Sequence, residues 1–169
     1  MNEFMQLGIT DTLTRLLYKN GIKTPTEIQR AAIPAIFKGR DIVGRSETGT
    51  GKTLAYLLPI MQRIRTDTEN TQVLIMTPTR ELAKQVFQVA GTFAKDMNID
   101  VTDVIGGRTI ENQIQKLKRD PHIVIGTPGR LLDHLKRRTL DISNAGVVVL
   151  DEADQMLAAG FREDIDALI

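Results

Sequence analysis

Short apolar, β-branched runs alternate along this chain with longer stretches in which apolar residues recur every three or four positions. The runs fall at 41–44, 72–77, 99–105, 122–126 and 146–150, and they predict strands. Helical spacing fills the intervals, over 10–20, 26–38, 51–65, 79–96, 110–118, 128–138 and 162–169. Within 10–20, Leu13, Leu16 and Leu17 share one face. The helix predicted at 26–38 follows Pro25 and stops before Gly39, a residue suited to end it. Strand–helix alternation predicts an α/β fold, a mostly parallel β-sheet flanked by helices on both faces. Ligands of such sheets bind beyond the C-terminal strand ends, so chemistry is expected in the segments just after the strands.

Composition narrows the classes. A length of 169 residues suits one domain, and 41% hydrophobic residues are enough for a core. No apolar run approaches the roughly 18–20 residues of a membrane span, so no membrane partner is expected. The N-terminus lacks the basic and apolar regions of a secretory signal. With no cysteine, disulfides and thiolate metal sites are excluded. A cytoplasmic location is the expectation. Net charge is only +1, which argues against a basic coat for nucleic acid. Residues 116–138 nevertheless carry seven Lys/Arg against Asp120 and Asp133, a run that a solvated helical face would also explain. Aromatics are 4% with no Trp, too few for a protein that reads bases by stacking. Nucleic acid, if bound, is expected to be held by its backbone.

After the first predicted strand comes Ser46-Glu47-Thr48-Gly49-Thr50-Gly51-Lys52-Thr53, close to the pattern G-x-x-x-x-G-K-[ST] with Ser46 in place of the first glycine. Gly49 and Gly51 let the backbone curl until successive N–H groups face inward as an anion nest. The following helix adds the positive end of its dipole. Lys52 would reach the β- and γ-phosphates, and the Thr53 hydroxyl would ligate Mg²⁺. A glycine-rich strand-to-helix turn that binds nothing is the plain alternative.

Two further features follow strands. The run Val147–Leu150 leads straight into Asp151-Glu152-Ala153-Asp154, the way a P-loop enzyme presents a metal-holding Asp. Glu152 beside it could orient or deprotonate an attacking water. Alternatively, Asp151 is a helix N-cap with Glu152 and Asp154 favoured by the dipole. Thr77-Pro78-Thr79-Arg80 and Thr127-Pro128-Gly129-Arg130 then echo each other, each after a strand. Helix starts explain Thr and Pro. They do not explain Arg, which opposes the dipole unless an anion sits there. The pair reads as two phosphate clamps. Gly106-Gly107 is either a simple turn or a place where a backbone comes close.

Taken together these residues resemble the DEAD-box RNA helicases. Asp151-Glu152-Ala153-Asp154 spells the family name; SETGTGKT is similar to its phosphate-binding motif I, and PTRELA at 78–83 to motif Ia. Gly106-Gly107 and TPGR at 127–130 are similar to the remaining RNA-side motifs of the first domain. GIKTPTEIQ at 21–29 resembles the Q motif, with Phe4 as its upstream aromatic. The resemblance covers nearly the whole chain. It implies a RecA-like P-loop domain with ATP and Mg²⁺ as cofactors. Gln29, with the backbone near Thr24, would read adenine, Ile22 standing where many members carry an aromatic. Thr26 would support the phosphate loop, and residues Thr48, Gly49, Thr50, Gly51, Lys52 and Thr53 would hold phosphates and metal. Lys52, Asp151 and Glu152 would be catalytic, with Thr53 and Asp151 at the metal. Pro78, Arg80, Gly106, Gly107, Thr127 and Arg130 would hold the RNA sugar-phosphate backbone, and Asp154 would link to the next motif.

The implied activity is an RNA-stimulated ATPase that locally unwinds short duplexes with little sequence preference. Another P-loop motor, or a non-enzymatic ATP-gated RNA clamp, are the alternatives. The family's Ser-Ala-Thr motif and its second, C-terminal RecA-like domain, with the arginine fingers, do not occur within these residues. Residues 1–169 alone are therefore expected to be poorly stable, to bind nucleotide weakly and to turn over negligibly.

Overall fold

The computed structural model describes residues 2–169, which divide into two compact units, one up to Ile64 and one from Arg65 onward. The first is helical: α1 (Glu3–Gln6), α2 (Asp11–Lys19), α3 (Glu27–Phe37) and α4 (Lys52–Arg63). Helices α3 and α4 lie together, and Phe4, Leu13, Leu17, Ile33, Leu57 and Leu58 are wholly buried. The single turn α1 has no counterpart among the predicted helices. Its Asn2 side chain accepts from the Phe4 N–H at 2.8 Å, a cap that positions the buried aromatic. Gln62 of α4 closes the unit, accepting from the Thr10 N–H and donating to the Gly8 carbonyl, each at 2.9 Å. Gly39 follows the C-cap of α3 with φ +71°, the left-handed terminator its position suggested.

Residues 41–44 correct the sequence reading. No strand forms there; the segment is irregular and Val43 is fully exposed. A strand exists only by pairing, and no backbone hydrogen bond engages this run among the described residues. Propensity alone does not hold Ile42 and Val43 extended in a sheet.

The second unit is the α/β part. In order come β1 (Val73–Met76), α5 (Arg80–Ala94), a 3₁₀ turn (Lys95–Met97), β2 (Val101–Val104) and α6 (Ile110–Leu117). After them come β3 (Ile123–Gly126), α7 (Pro128–Lys136), β4 (Val147–Leu150), α8 (Ala153–Ala158) and α9 (Arg162–Leu168). The sheet is parallel throughout, in the order β2-β3-β1-β4. Alternation sorts its side chains. Leu74, Met76, Val104 and Val124 join Leu117 of α6, Leu131 of α7, Met156 of α8 and Ile165 and Leu168 of α9 in one core. Val73, Ile75, Ile123 and Ile125 are buried on the other face, which α5 covers by packing on β2 and β3. Strand β4 is an edge: Val148 and Leu150 are only half covered.

Gly126 explains itself by contact. A Cβ there would run into the carbonyl oxygen of Val104 on the neighbouring strand and fall 3.0 Å from Leu131 Cγ. Only glycine lets α7 start that close to β2 and β3. Because every strand points the same way, residues 77–80, 105–108, 127–130 and 151–154 all leave the sheet at one rim.

Candidate nucleotide and nucleic-acid sites

In the helical unit, Thr48 and Gly49 begin a tight turn that runs into α4 at Lys52. Gly49 (φ +79°) and Gly51 (φ +87°) take the left-handed conformation that frees the loop to curl. Gly51 is needed twice, since a Cβ there would lie 2.5 Å from Gln29 Nε2 and 3.0 Å from Thr26 Oγ1. Inside the loop, the Ser46 and Thr50 hydroxyls share a hydrogen bond of 2.5 Å. Lys52 Nζ donates to the Ser46 carbonyl at 2.9 Å. Thr53 is half-buried in the first turn of α4.

Gln29 joins this loop to α3. Its Oε1 accepts from the Thr26 N–H at 3.0 Å, completing a capping box, and its Nε2 donates to the Gly51 carbonyl at 3.1 Å. The side chain is 2% exposed. One donor and one lone pair of the amide remain beyond these two bonds. Ile22, half-buried, and Thr24, exposed, lie on the strap between α2 and α3. Phe4 is wholly buried in the same unit.

The second unit presents its chemistry at the strand-end rim. Asp151, 8% exposed, follows β4, and its N–H donates to the Met76 carbonyl at 2.9 Å. The N-cap of α8 is not Asp151 but Glu152, which sits at φ +55°, ψ +50° and makes no side-chain cap bond. That corrects the capping alternative. A non-glycine residue in this region costs about 1–3 kcal/mol, a strain that collects at functional positions. Asp154 is exposed in the first turn.

Beside it lies a groove of about 600 Å³ lined by Pro78, Arg80, Gly106, Thr127 and Arg130. Five of the six residues read from sequence as backbone-holding thus meet in one concavity, and the sixth, Gly107, is tied to it by contact. The Arg80 guanidinium lies against the glycine turn, where a Cβ on Gly107 would fall 2.5 Å from Nη1 and one on Gly106 2.9 Å from Nη2. Here the glycines admit a side chain rather than merely a turn. Among the described residues neither Arg80 nor Arg130 forms a salt bridge. The nearby carboxylate of Asp133 is held by Arg137 at 2.9 Å, and that bond keeps its pKa below the ordinary range.

Sequence reasoning missed the groove's support. Gln113 of α6 and His134 of α7 are buried, at 1% and 0% exposure. Gln113 Nε2 donates to the Ile105 carbonyl at 2.6 Å, and its Oε1 faces His134 Nε2 at 2.8 Å. His134 Nδ1 meets Thr139 Oγ1 at 2.8 Å. The available signal was position: each polar residue occupies the apolar stripe of its helix, beside Ile114 and Leu117 or Leu131 and Leu135. Phe161, which also borders the groove, carried no such signal.

Burial, then Arg130, lower the pKa of His134, with Asp133 opposing and Arg137 adding to the fall. Folded protein therefore binds this proton less readily than unfolded chain. Stability should be full above the ordinary histidine value of 6.5 and decline as pH drops through it. Unfolding midpoints between pH 7.5 and 5 are expected to show this decline, at most about 1.4 kcal/mol per pH unit for one proton. In His134→Gln that share should vanish; an unchanged slope would mean other groups carry it.

A glycine-bent loop opening a helix at Lys52, together with a parallel sheet carrying its chemistry at the strand ends, defines a P-loop nucleotide-binding protein of the RecA-like class. Residues 26–169 match the family model described as DEAD/DEAH box helicase, and the chain belongs to that family. It is 44% identical, over all 169 residues, to the DEAD-box ATP-dependent RNA helicase CshA of Bacillus cereus, of whose length it covers 32%. The chain thus spans about a third of the length of that relative. A crystal structure of a DEAD box protein from Methanococcus jannaschii superposes with a TM-score of 0.93 at 35% identity, over 98% of this chain and 46% of the other. That of an RNA helicase from Chaetomium thermophilum bound to ADP gives 0.91 at 37%, over 100% and 43%.

Proposed function

We propose that this chain is the ATP-binding first RecA-like domain of a longer cytoplasmic RNA helicase, an RNA-stimulated ATPase that grips the sugar-phosphate backbone and opens short duplexes locally. The observation that carries the RNA half is the groove: two guanidiniums that form no salt bridge among the described residues, set at the starts of α5 and α7 among backbone-exposing glycines. Arg pairs and helix N-termini hold phosphates without reading bases. The nucleotide half rests on the loop at 46–53 and on Gln29, whose remaining donor and acceptor suit an adenine edge. No described helix is long and apolar enough to cross a membrane.

Each unit carries one oxygen donor of the kind Mg²⁺ takes, Thr53 in the first and Asp151 in the second. Thr53 hydroxyl and Asp151 carboxylate are hard oxygen donors, and among the described residues no group of three His, Asp or Glu forms a cage. Such ions take one or two protein oxygens, with phosphates and water filling the rest. When bound, the ion neutralises charge developing on the phosphates. Lys52 exchanges the Ser46 carbonyl for phosphate oxygen. Glu152 takes a proton from the attacking water. A second RecA-like domain of the same protein would supply the arginine fingers.

The test uses the full-length protein. ATP hydrolysis should rise on adding single-stranded RNA of any sequence. The RNA affinity should fall with salt, each guanidinium–phosphate contact adding about −0.7 to the logarithmic slope. An ATPase indifferent to RNA would favour a different P-loop motor.

A further inference from the structure

We propose that Gln113 is a positioning residue for the RNA groove, joining its two walls so that they hold one geometry. One wall is the Gly106-Gly107 turn with Arg80 lying on it. The other is the start of α7, with Thr127 and Arg130. Between them stands a single buried amide on α6. Its nitrogen holds the carbonyl of Ile105, the residue that leads into the glycine turn. Its oxygen faces His134, one helical turn beyond Arg130 on α7, and Arg130 Nη1 approaches the same oxygen at the long distance of 3.5 Å.

The chemistry allows only this orientation of the amide. A carbonyl needs a donor, so Nε2 faces Ile105. Oε1 is then the acceptor, and His134 must carry its proton on Nε2. His134 Nδ1 is left to Thr139 Oγ1, which lies also 3.1 Å from the His134 carbonyl. Each side-chain polar atom of this link has a neighbour, the Thr139 hydroxyl sharing its one proton between His134 Nδ1 and the His134 carbonyl, and a buried network of this kind is rigid. An apolar residue at 113 would fill the α6 stripe equally well, as the neighbouring Ile114 and Leu117 do. What it could not do is fix the separation of two loops whose guanidiniums must match successive phosphates. Misplacement by about 1 Å is enough to spoil such a match.

This inference rests on the RNA reading of the groove, and the experiment separates the two. RNA-stimulated ATPase is measured on full-length wild type, Gln113→Ala, His134→Gln and the double variant. Basal ATPase, nucleotide affinity and kcat at saturating RNA should stay within about twofold, while the KM for RNA rises about five- to tenfold. The double variant should be no weaker for RNA than the weaker single one, because both residues belong to one link. A merely structural amide would lower the thermal midpoint and all kinetic parameters together. If Gln113→Ala does not accumulate folded, Gln113→Glu is read instead. It keeps an acceptor for His134 but turns an oxygen on Ile105, and the same selective rise in KM is expected. Wild type without RNA stimulation overturns the RNA reading and the inference with it. A stimulated wild type with unchanged KM for RNA in the variants, or with fully additive effects, overturns the inference alone.

Discussion

Full-length protein carrying Glu152→Gln is expected to hydrolyse ATP about 10²–10⁴ times more slowly, the usual contribution of a general base. Its ATP-dependent hold on RNA should persist. Glutamine has the shape of glutamate and tolerates the left-handed backbone of residue 152 no worse, so the strand-end turn should survive the change. What disappears is the group that accepts water's proton. Single-turnover hydrolysis and filter binding of RNA with ATP measure the two sides separately. Retained turnover would leave Glu152 a structural residue and assign the proton from water to another group.

The second large effect is expected at Gly51. Alanine there meets two obstacles. A left-handed φ of +87° costs an L residue about 1–2 kcal/mol, and a Cβ would stand 2.5 Å from Gln29 Nε2. Gln29 must then leave the Gly51 carbonyl, which disturbs the strap between α2 and α3 and the loop at 46–53 together. Overpacking of this kind adds about 1–3 kcal/mol. The sum corresponds to roughly 30- to several-thousandfold weaker binding of a fluorescent ADP analogue, at 1.4 kcal/mol per decade. Gly39→Ala is the control: its φ is +71° but nothing lies within 4 Å, so it carries strain without the clash. Gly51→Ala binding within threefold of Gly39→Ala would show that the loop does not depend on this contact.

Much of this was legible in the amino acids. The strands near 73, 101, 123 and 147, and the helices between them, are marked by periodicity, and the parallel sheet follows from their alternation. The gathering of Arg80, Gly106, Thr127 and Arg130 in one groove follows from their common place after strands. Other features were not legible, for physical reasons. Ile42 and Val43 have strand propensity, but pairing is a long-range property. Gln113 and His134 needed each other, 21 residues apart, to be satisfied in the core. The backbone of Glu152 has no sequence signature, since nothing in Asp-Glu-Ala-Asp asks for a left-handed residue.

The rim opposite the groove offers a practical opening. There the segments entering the strands are laced together: Thr71 Oγ1 donates to the Pro121 carbonyl, and His122 accepts from the Asp100 N–H, both at 2.9 Å. Four-residue strands separate that rim from the groove by about 13 Å. Glu69, exposed on the adjoining loop, belongs to neither. Because residues 1–169 contain no cysteine, Glu69→Cys would create the one thiol of this stretch. A fluorophore or surface tether attached there would test for RNA at the groove without standing in its way.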